Sequence, residues 1–288
     1  MNAGKPRSSP RASPALVCLP PPLKSVFRKA RPILGTTLLV LGIGSACRQS
    51  APPGAADPGM AACVANDAAA VAAADLDQFR ASSFLNSMGG SARDLLERYR
   101  NASALMVAWN GSGLLIVLRG SFSAPPAGAR AVEPGLALDG TPDLMGQAIA
   151  QHRSGRTGAP DLIGYGSQIG PRSVIWLAVR GGRALPLAGN AANLNRLLED
   201  ADFAGAALDL GPSATLRFHA RARTAESAET LEQRLRAVLS LAAEAEIHRP
   251  ELARLLDAAQ VRRNGREVAA TLSASPDLLA KLVTGFAR

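Results

Sequence analysis

Two sets of residues in this 288-residue chain have the types and spacing to do chemistry. The first is Cys47. It closes the stretch KSVFRKARPILGTTLLVLGIGSAC (24–47), in which Lys24, Arg28, Lys29 and Arg31 precede the apolar run Ile33–Ile43, and Gly44, Ser45 and Ala46 lead into the thiol. Charged, apolar and small-residue zones in that order form an export signal. A cysteine directly after the small residues is a candidate for lipidation, its thiol carrying the acyl chains of a membrane anchor. The 14 residues Ile33–Ala46 span about 21 Å as a helix, short of the roughly 30 Å hydrocarbon core, so a permanent span is disfavoured. A signal cleaved with Cys47 incidental and an uncleaved anchor remain the other two readings of the same residues.

The second set is a ladder of cations. In Thr215–Arg223, strict alternation sends Leu216, Phe218, Ala220 and Ala222 to one face of a strand, and Arg217, His219, Arg221 and Arg223 to the other. Such a face fits an anionic partner: lipid headgroups, a glycan or an acidic protein. Arg262 and Arg263 extend it if their hairpin lies alongside. The plainer reading is the wet face of an antiparallel sheet, neutralised by glutamates of the helical segment at 225–246.

Other chemistry finds little support. No GxSxG elbow, Walker A sequence or GxGxxG lies beyond the leader, and Gly164-Tyr165-Gly166-Ser167-Gln168 lacks the second glycine of an elbow. Gly181-Gly182, between Arg180 and Arg183, reads as a turn rather than a phosphate cradle. His152, His219 and His248 have no ligand spacing, and Asp75/Asp77 and Glu199/Asp200/Asp202 match no calcium loop. No metal site, cofactor or catalytic residue is therefore expected, and the chain reads as a non-enzyme. The net charge of +9 does not indicate nucleic acid either. Seven of the 32 basic residues and none of the 23 acidic ones precede residue 48, which leaves 25 against 23, a formal +2, for the rest.

The elements that position these residues divide the chain in five. Residues 1–23, rich in Pro, Ser and Arg, are a disordered extension or follow a mis-assigned start; 24–47 are the signal; 48–66 read as a flexible tether rich in Ala, Pro and Gly. Within the tether, Cys63 is either a thiol able to pair between chains or the partner of an unacylated Cys47. Residues 67–157 and 158–288 read as two α+β modules. Ala68–Ala74 starts the first, followed by helical stretches through Phe79, Phe84 and Leu85 and over Ser91–Arg100. Ala104–Trp109 and Leu114–Leu118 around Asn110-Gly111 form a hairpin apolar on both faces. A Pro/Gly/Ala loop spans 121–135, Leu136–Leu138 is a strand, and Thr141-Pro142-Asp143 starts a helix. In the second half Val174–Val179 is a strand, Asn190 caps a helix, Phe203–Leu210 and Ser213–Ala222 pair, and Ala225–Ala245 is a long helix. Pro250–Ala259 is helical, Asn264-Gly265 turns a last hairpin, and Ser275-Pro276-Asp277 repeats the earlier helix start. That recurrence suggests duplication, so the expected fold is two related ferredoxin-like, or split β-α-β, modules with antiparallel sheets.

The leader, DLDQFRAS, AWNGSGLLIVLRG, PLAGNAANLNRLL and LSASPDLLAKL together resemble a group of uncharacterised acidobacterial lipoproteins. The resemblance covers most of the chain beyond residue 66 and implies no known activity. The expected function is a membrane-anchored lipoprotein of the cell envelope, a non-catalytic binding or assembly module held by an N-terminal lipid beside an envelope protein partner. The alternative is a periplasmic carrier of a lipid or other apolar ligand.

Overall fold

The computed structural model describes residues 56–88, 90–185 and 195–286. The signal, the Cys47 lipidation site and the Asn190 cap lie outside them. Contacts separate Met1–Arg48 from Gln49–Arg288, and every described residue belongs to the second unit.

A single sheet organises the body. Its strands are β1 (Ala70–Asp75), β2 (Ala102–Trp109), β3 (Leu114–Gly120), β4 (Arg130–Glu133), β5 (Leu136–Asp139), β6 (Ile175–Arg180), β7 (Ala201–Leu210), β8 (Ala214–Ala222), β9 (Gln260–Asn264) and β10 (Glu267–Ala274). They lie in the order β4-β5-β3-β2-β1-β6-β7-β8-β10-β9. Every neighbouring pair is antiparallel. The α+β class holds, but the expected pair of ferredoxin-like modules is corrected in one respect: the two halves share one sheet. A split β-α-β unit sets two parallel strands side by side, and no such pair occurs among the described strands. The order does read alike from both sides of the central β1–β6 pair. A strand, at least one helix, a hairpin and a second hairpin joined through its later strand occur in each half.

Hairpin chemistry explains the local pairings. Asn110 Oδ1 accepts from the backbone N–H groups of Ser112 and Gly113, both at 3.1 Å, closing β2 onto β3. Gly265 takes φ +55° between β9 and β10, a conformation that favours glycine. β4, inside a segment expected to be loop, pairs three of its four residues with β5 across a register shift.

Two layers of helices cover the sheet. On one face, here the front, lie α1 (Pro58–Ala62), α5 (Pro142–Arg153) and α6 (Pro160–Ile169), packed on Val71, Met106, Ala108, Leu115, Val117 and Trp176. On the back lie α2 (Leu76–Ala81), α3 (Phe84–Ser87), α4 (Gly90–Arg98), α7 (Asn195–Leu198), α8 (Ala225–Ala245), α9 (Pro250–Asp257) and α10 (Pro276–Phe286). Both repeated helix starts are capped alike: Thr141 Oγ1 accepts from Leu144 N, and Ser275 Oγ from Leu278 N, each at 3.4 Å. The two helices nevertheless pack on opposite faces, α5 on the front and α10 on the back, so the strand order carries the likeness of the halves further than the helices do.

The tether also needs correction. Met60, Cys63 and Val64 are buried, and Asp57 caps α1 by accepting from Met60 N at 2.9 Å. Arg119 of β3 holds the same carboxylate through Nη2 at 2.8 Å and Nε at 3.2 Å. Burial works to raise the Asp57 carboxyl. The Arg119 guanidinium and the backbone N–H groups outweigh it and hold the carboxyl below its usual range. Cys63 is no docking thiol: it is fully buried, donates to Gly59 O at 3.4 Å, and burial with nearby Glu133 pushes it up to about 12.

Candidate functional site

One row across the front of the sheet shows where a binding face can lie. Leu138, Val117, Met106, Ala73, Trp176 and Ala207 are paired in turn from β5 to β7, and Arg217 of β8 and Thr271 of β10 continue the row. The apolar part is covered by α1, α5 and α6. Beyond Ala207 the row turns polar, and no described helix lies over it.

Alternation along β8 places Arg217, His219 and Arg221 on that front face, as the sequence pattern requires, while Ala220 and Ala222 pack against α8 on the back. Their neutralisers are not the α8 glutamates expected from sequence. α8 lies on the opposite face, so the counter-charges come from the flanking strands. Arg217 meets Asp209 of β7 at 2.8 Å, and Ser173, itself buried, donates to the same carboxylate at 2.6 Å. Arg221 donates to Glu267 of β10 at 2.7 Å and lies over the Tyr165 ring, 5.8 Å from its centroid. Arg223, at the end of the ladder, is exposed, with no ion pair among the described residues. Of the two extending arginines, only Arg262 shares this face, opposite Ala269; Arg263 turns to the back and pairs with Glu232 of α8 at 2.9 Å.

His219 sits between Tyr165 and Glu267. Its Nδ1 lies 2.8 Å from the Tyr165 hydroxyl and its Nε2 lies 3.5 Å from Glu267 Oε2. The Tyr165 hydroxyl and Nδ1 share a hydrogen bond, while Nε2 stands at ion-pair distance from a carboxylate oxygen that accepts no hydrogen bond among the described residues. Burial pulls the imidazole below its ordinary value, Glu267 works against that, and Arg221 adds to it. Burial and Glu267 push the Tyr165 phenol well above its usual range. Through the Tyr165 hydroxyl this histidine laces α6 to the sheet. Among the described residues no serine or cysteine is hydrogen-bonded to His219.

The sign of its linkage follows. As pH falls, the unfolded chain protonates its histidine at the ordinary value of 6.5, before the folded chain does. The stability contributed by neutral His219 is therefore complete above that value and is lost as pH falls through the lower folded one. His219→Gln should flatten this part of the acid loss. Urea midpoints at pH 7 and pH 5 check it: the parent should lose more on acidification than the variant, and equal losses would refute the assignment.

α6, which supplies Tyr165, was not legible as a helix because Gly164 and Gly166 dilute its period. Gly166 is required: a Cβ there would stand 2.2 Å from the Trp176 ring. Its readable signal was Ala159-Pro160-Asp161, the same Pro-Asp start as the two capped helices. Gly181-Gly182 is a turn, its N–H groups spent on Asp202 O and Leu198 O at 2.8 Å each, so nothing is left to cradle a phosphate. His152 stands 3.7 Å from Glu133. His219 lies in neither that pair nor the exposed His248, so the three histidines do not converge. Among the described residues no group of three or more His, Cys, Asp and Glu could hold a metal ion, and no helix is long and apolar enough to cross a membrane.

Two recesses lie among the described residues. An apolar cavity between Cys63, Ala108, Leu115 and Leu144 holds about 20 Å³, room for one water-sized sphere. An open groove of about 320 Å³ runs beside β4, lined by Phe122, Pro125, Val132 and Leu136.

No family model matches the chain, and no curated protein does. Among solved structures, crystal form III of TP0453 matches with a TM-score of 0.51 at 10% identity, covering 78% of this chain and 97% of that one. Crystal form I of TP0453 gives 0.49 at 11% identity over 80% and 98%. At that identity the likeness to crystal form III is one of fold: a large antiparallel sheet with helices is an architecture this chain shares with TP0453.

Proposed function

We propose that the chain is an exported lipoprotein of the cell envelope, anchored through Cys47, whose body is a non-catalytic binding module. The observation that carries the binding role is the front of β10, β9 and the Arg217 end of β8, over which no described helix lies; Tyr165 of α6 reaches only His219 and Arg221. The same face over β1, β2, β3 and β5 is roofed by α1 and α5, although the strands of the two halves follow one order. Arg262, on this face, and Arg223, exposed just past the end of β8, carry positive charge with no ion pair among the described residues, which suits an acidic surface of an envelope protein. The anchor rests on the order of charged, apolar and small residues before Cys47. The carrier reading has one observation in its favour, the groove beside β4, which is open to solvent rather than enclosed.

Two measurements test the two parts. Cys47→Ser should move the protein out of the membrane fraction and abolish palmitate labelling; retention of both refutes the anchor. Pull-down from solubilised envelope should recover a stoichiometric partner, and Arg223→Glu with Arg262→Glu should reduce its capture about ten-fold or more while leaving the unfolding midpoint unchanged. Undiminished capture by the doubly reversed protein removes the bare face from the interface.

A further inference from the structure

Among the described residues, the two most exposed large apolar side chains lie six positions apart. Leu241 in the last turns of α8 is 64% exposed, and Ile247 just after it is 72% exposed. Ala237, Leu241 and Ala245 recur every four residues along one exposed stripe of α8, and Ile247 follows at the turn into α9. Beside them Arg249 pairs with Glu246, while Glu244 is exposed with no ion pair among the described residues. A monomer gains nothing by keeping this corner wet.

Its position in the body identifies what covers it. α8 follows β8 directly and runs back along it, 21 residues or about 31 Å against nine residues or about 30 Å, so its last turn reaches the end of the sheet where β8 begins. That end is the one where the chain enters. Arg119 lies opposite Ala104, and Ala104 opposite Asp75. Asp75 N donates to Val174 O, and Val174 N to Leu208 O. Leu208 faces Leu216 near the start of β8. Arg119 clamps Asp57, so the described chain begins at this same end, with 55 residues before it that include the apolar run Ile33–Ile43 and Cys47.

We infer that the Leu241–Ile247 corner is a second membrane contact, seated among the lipids of the bilayer to which the N-terminus is tied. The inference rests on the anchored reading of the chain. The lipid on Cys47 holds the chain at the bilayer, and a second, independent contact fixes which end of the body faces the membrane. The corner's contact is apolar, so it requires no anionic lipid and survives high salt.

The test uses protein purified from the membrane fraction and reconstituted into neutral phosphatidylcholine vesicles in which part of the lipid carries brominated chains. Ile247→Trp should show emission quenched by the bromine, over the background of Trp109 and Trp176, and quenching should persist at high salt. Gln233→Trp, exposed on the earlier half of the same helix, should not be quenched. For the non-acylated Cys47→Ser chain, Leu241→Ser with Ile247→Ser should lower vesicle binding about ten-fold. Vesicle-bound, acylated protein whose Ile247→Trp emission is untouched overturns the corner contact and leaves the anchor standing. Absence of an acyl mass on Cys47 with quenching intact does the reverse. Concentration-dependent self-association through the corner, without quenching, assigns it to a second copy and also overturns the inference.

Discussion

A chain shortened to begin at Asp67 should lose on the order of 5 kcal/mol of stability, whereas one beginning at Ala56 should unfold at the midpoint of the longer protein. The shortened chain gives up the buried side chains of Met60 and Val64, each worth about 1.5–3 kcal/mol. It also removes Asp57, the partner of Arg119 at 2.8 Å, leaving that guanidinium only Glu133 at 3.2 Å, and deletes the buried Cys63 thiol. Gly158 shows how closely this segment sits. A Cβ there would stand 1.6 Å from Val64 O, and Gly158 N donates to Ala61 O at 3.1 Å. Since whole domains are stable by about 5–15 kcal/mol, a loss of that size leaves a marginal fold. Urea unfolding of the two shortened chains decides it, and matching midpoints would return residues 57–66 to the role of a tether.

Trp176→Ala should cost about 3–5 kcal/mol, the range for deleting a large aromatic ring from a packed interior. The indole is 1% exposed at the centre of the sheet, under α6. Gly166 and Gly170 leave room for it, with would-be Cβ atoms 2.2 Å and 2.9 Å from Trp176 atoms. The same geometry predicts strong coupling. Gly166→Ala should be destabilising in the parent protein and markedly less so in Trp176→Ala, where the ring it strikes is gone. A double-mutant cycle by chemical unfolding reads this directly, and additive losses would show that Gly166 is kept for another reason.

What the residues made legible and what they hid follow from the range of the interactions. Asn110-Gly111, Gly211-Pro212 and Asn264-Gly265 each set a hairpin locally, and all three form. Alternation placed Arg217, His219 and Arg221 on one face correctly, because side-chain direction in a strand has a period of two whatever lies nearby. Which face, and beside whom, is a matter of pairing. Asp209 and Glu267 reach the ladder only because β7 and β10 flank β8, which no local pattern announces. The Pro-Asp helix start proved to be general: it opens α5, α6 and α10 alike, so it marks a helix rather than a duplicated site. Residues 58–64 were hidden by composition. Small residues resemble a linker in sequence, yet they are what lets α1 approach Gly158 and α5 closely.

Sharing one sheet between two halves has a consequence for solubility. Two separate five-stranded sheets would present four unpaired strand margins, each a template for another chain; joined through β1 and β6, they present two. Both survivors are poor templates. β4 offers four residues flanked by Arg130 and Glu133, with an irregular register against β5. β9 offers five, with Arg262 and Arg263 on opposite faces so that any added strand meets a cation whichever way it is laid. A protein tethered by its N-terminus would be crowded beside copies of itself on a membrane, where strand-to-strand accretion is a standing hazard, and joining the halves at β1–β6 removes half of the places where it could begin.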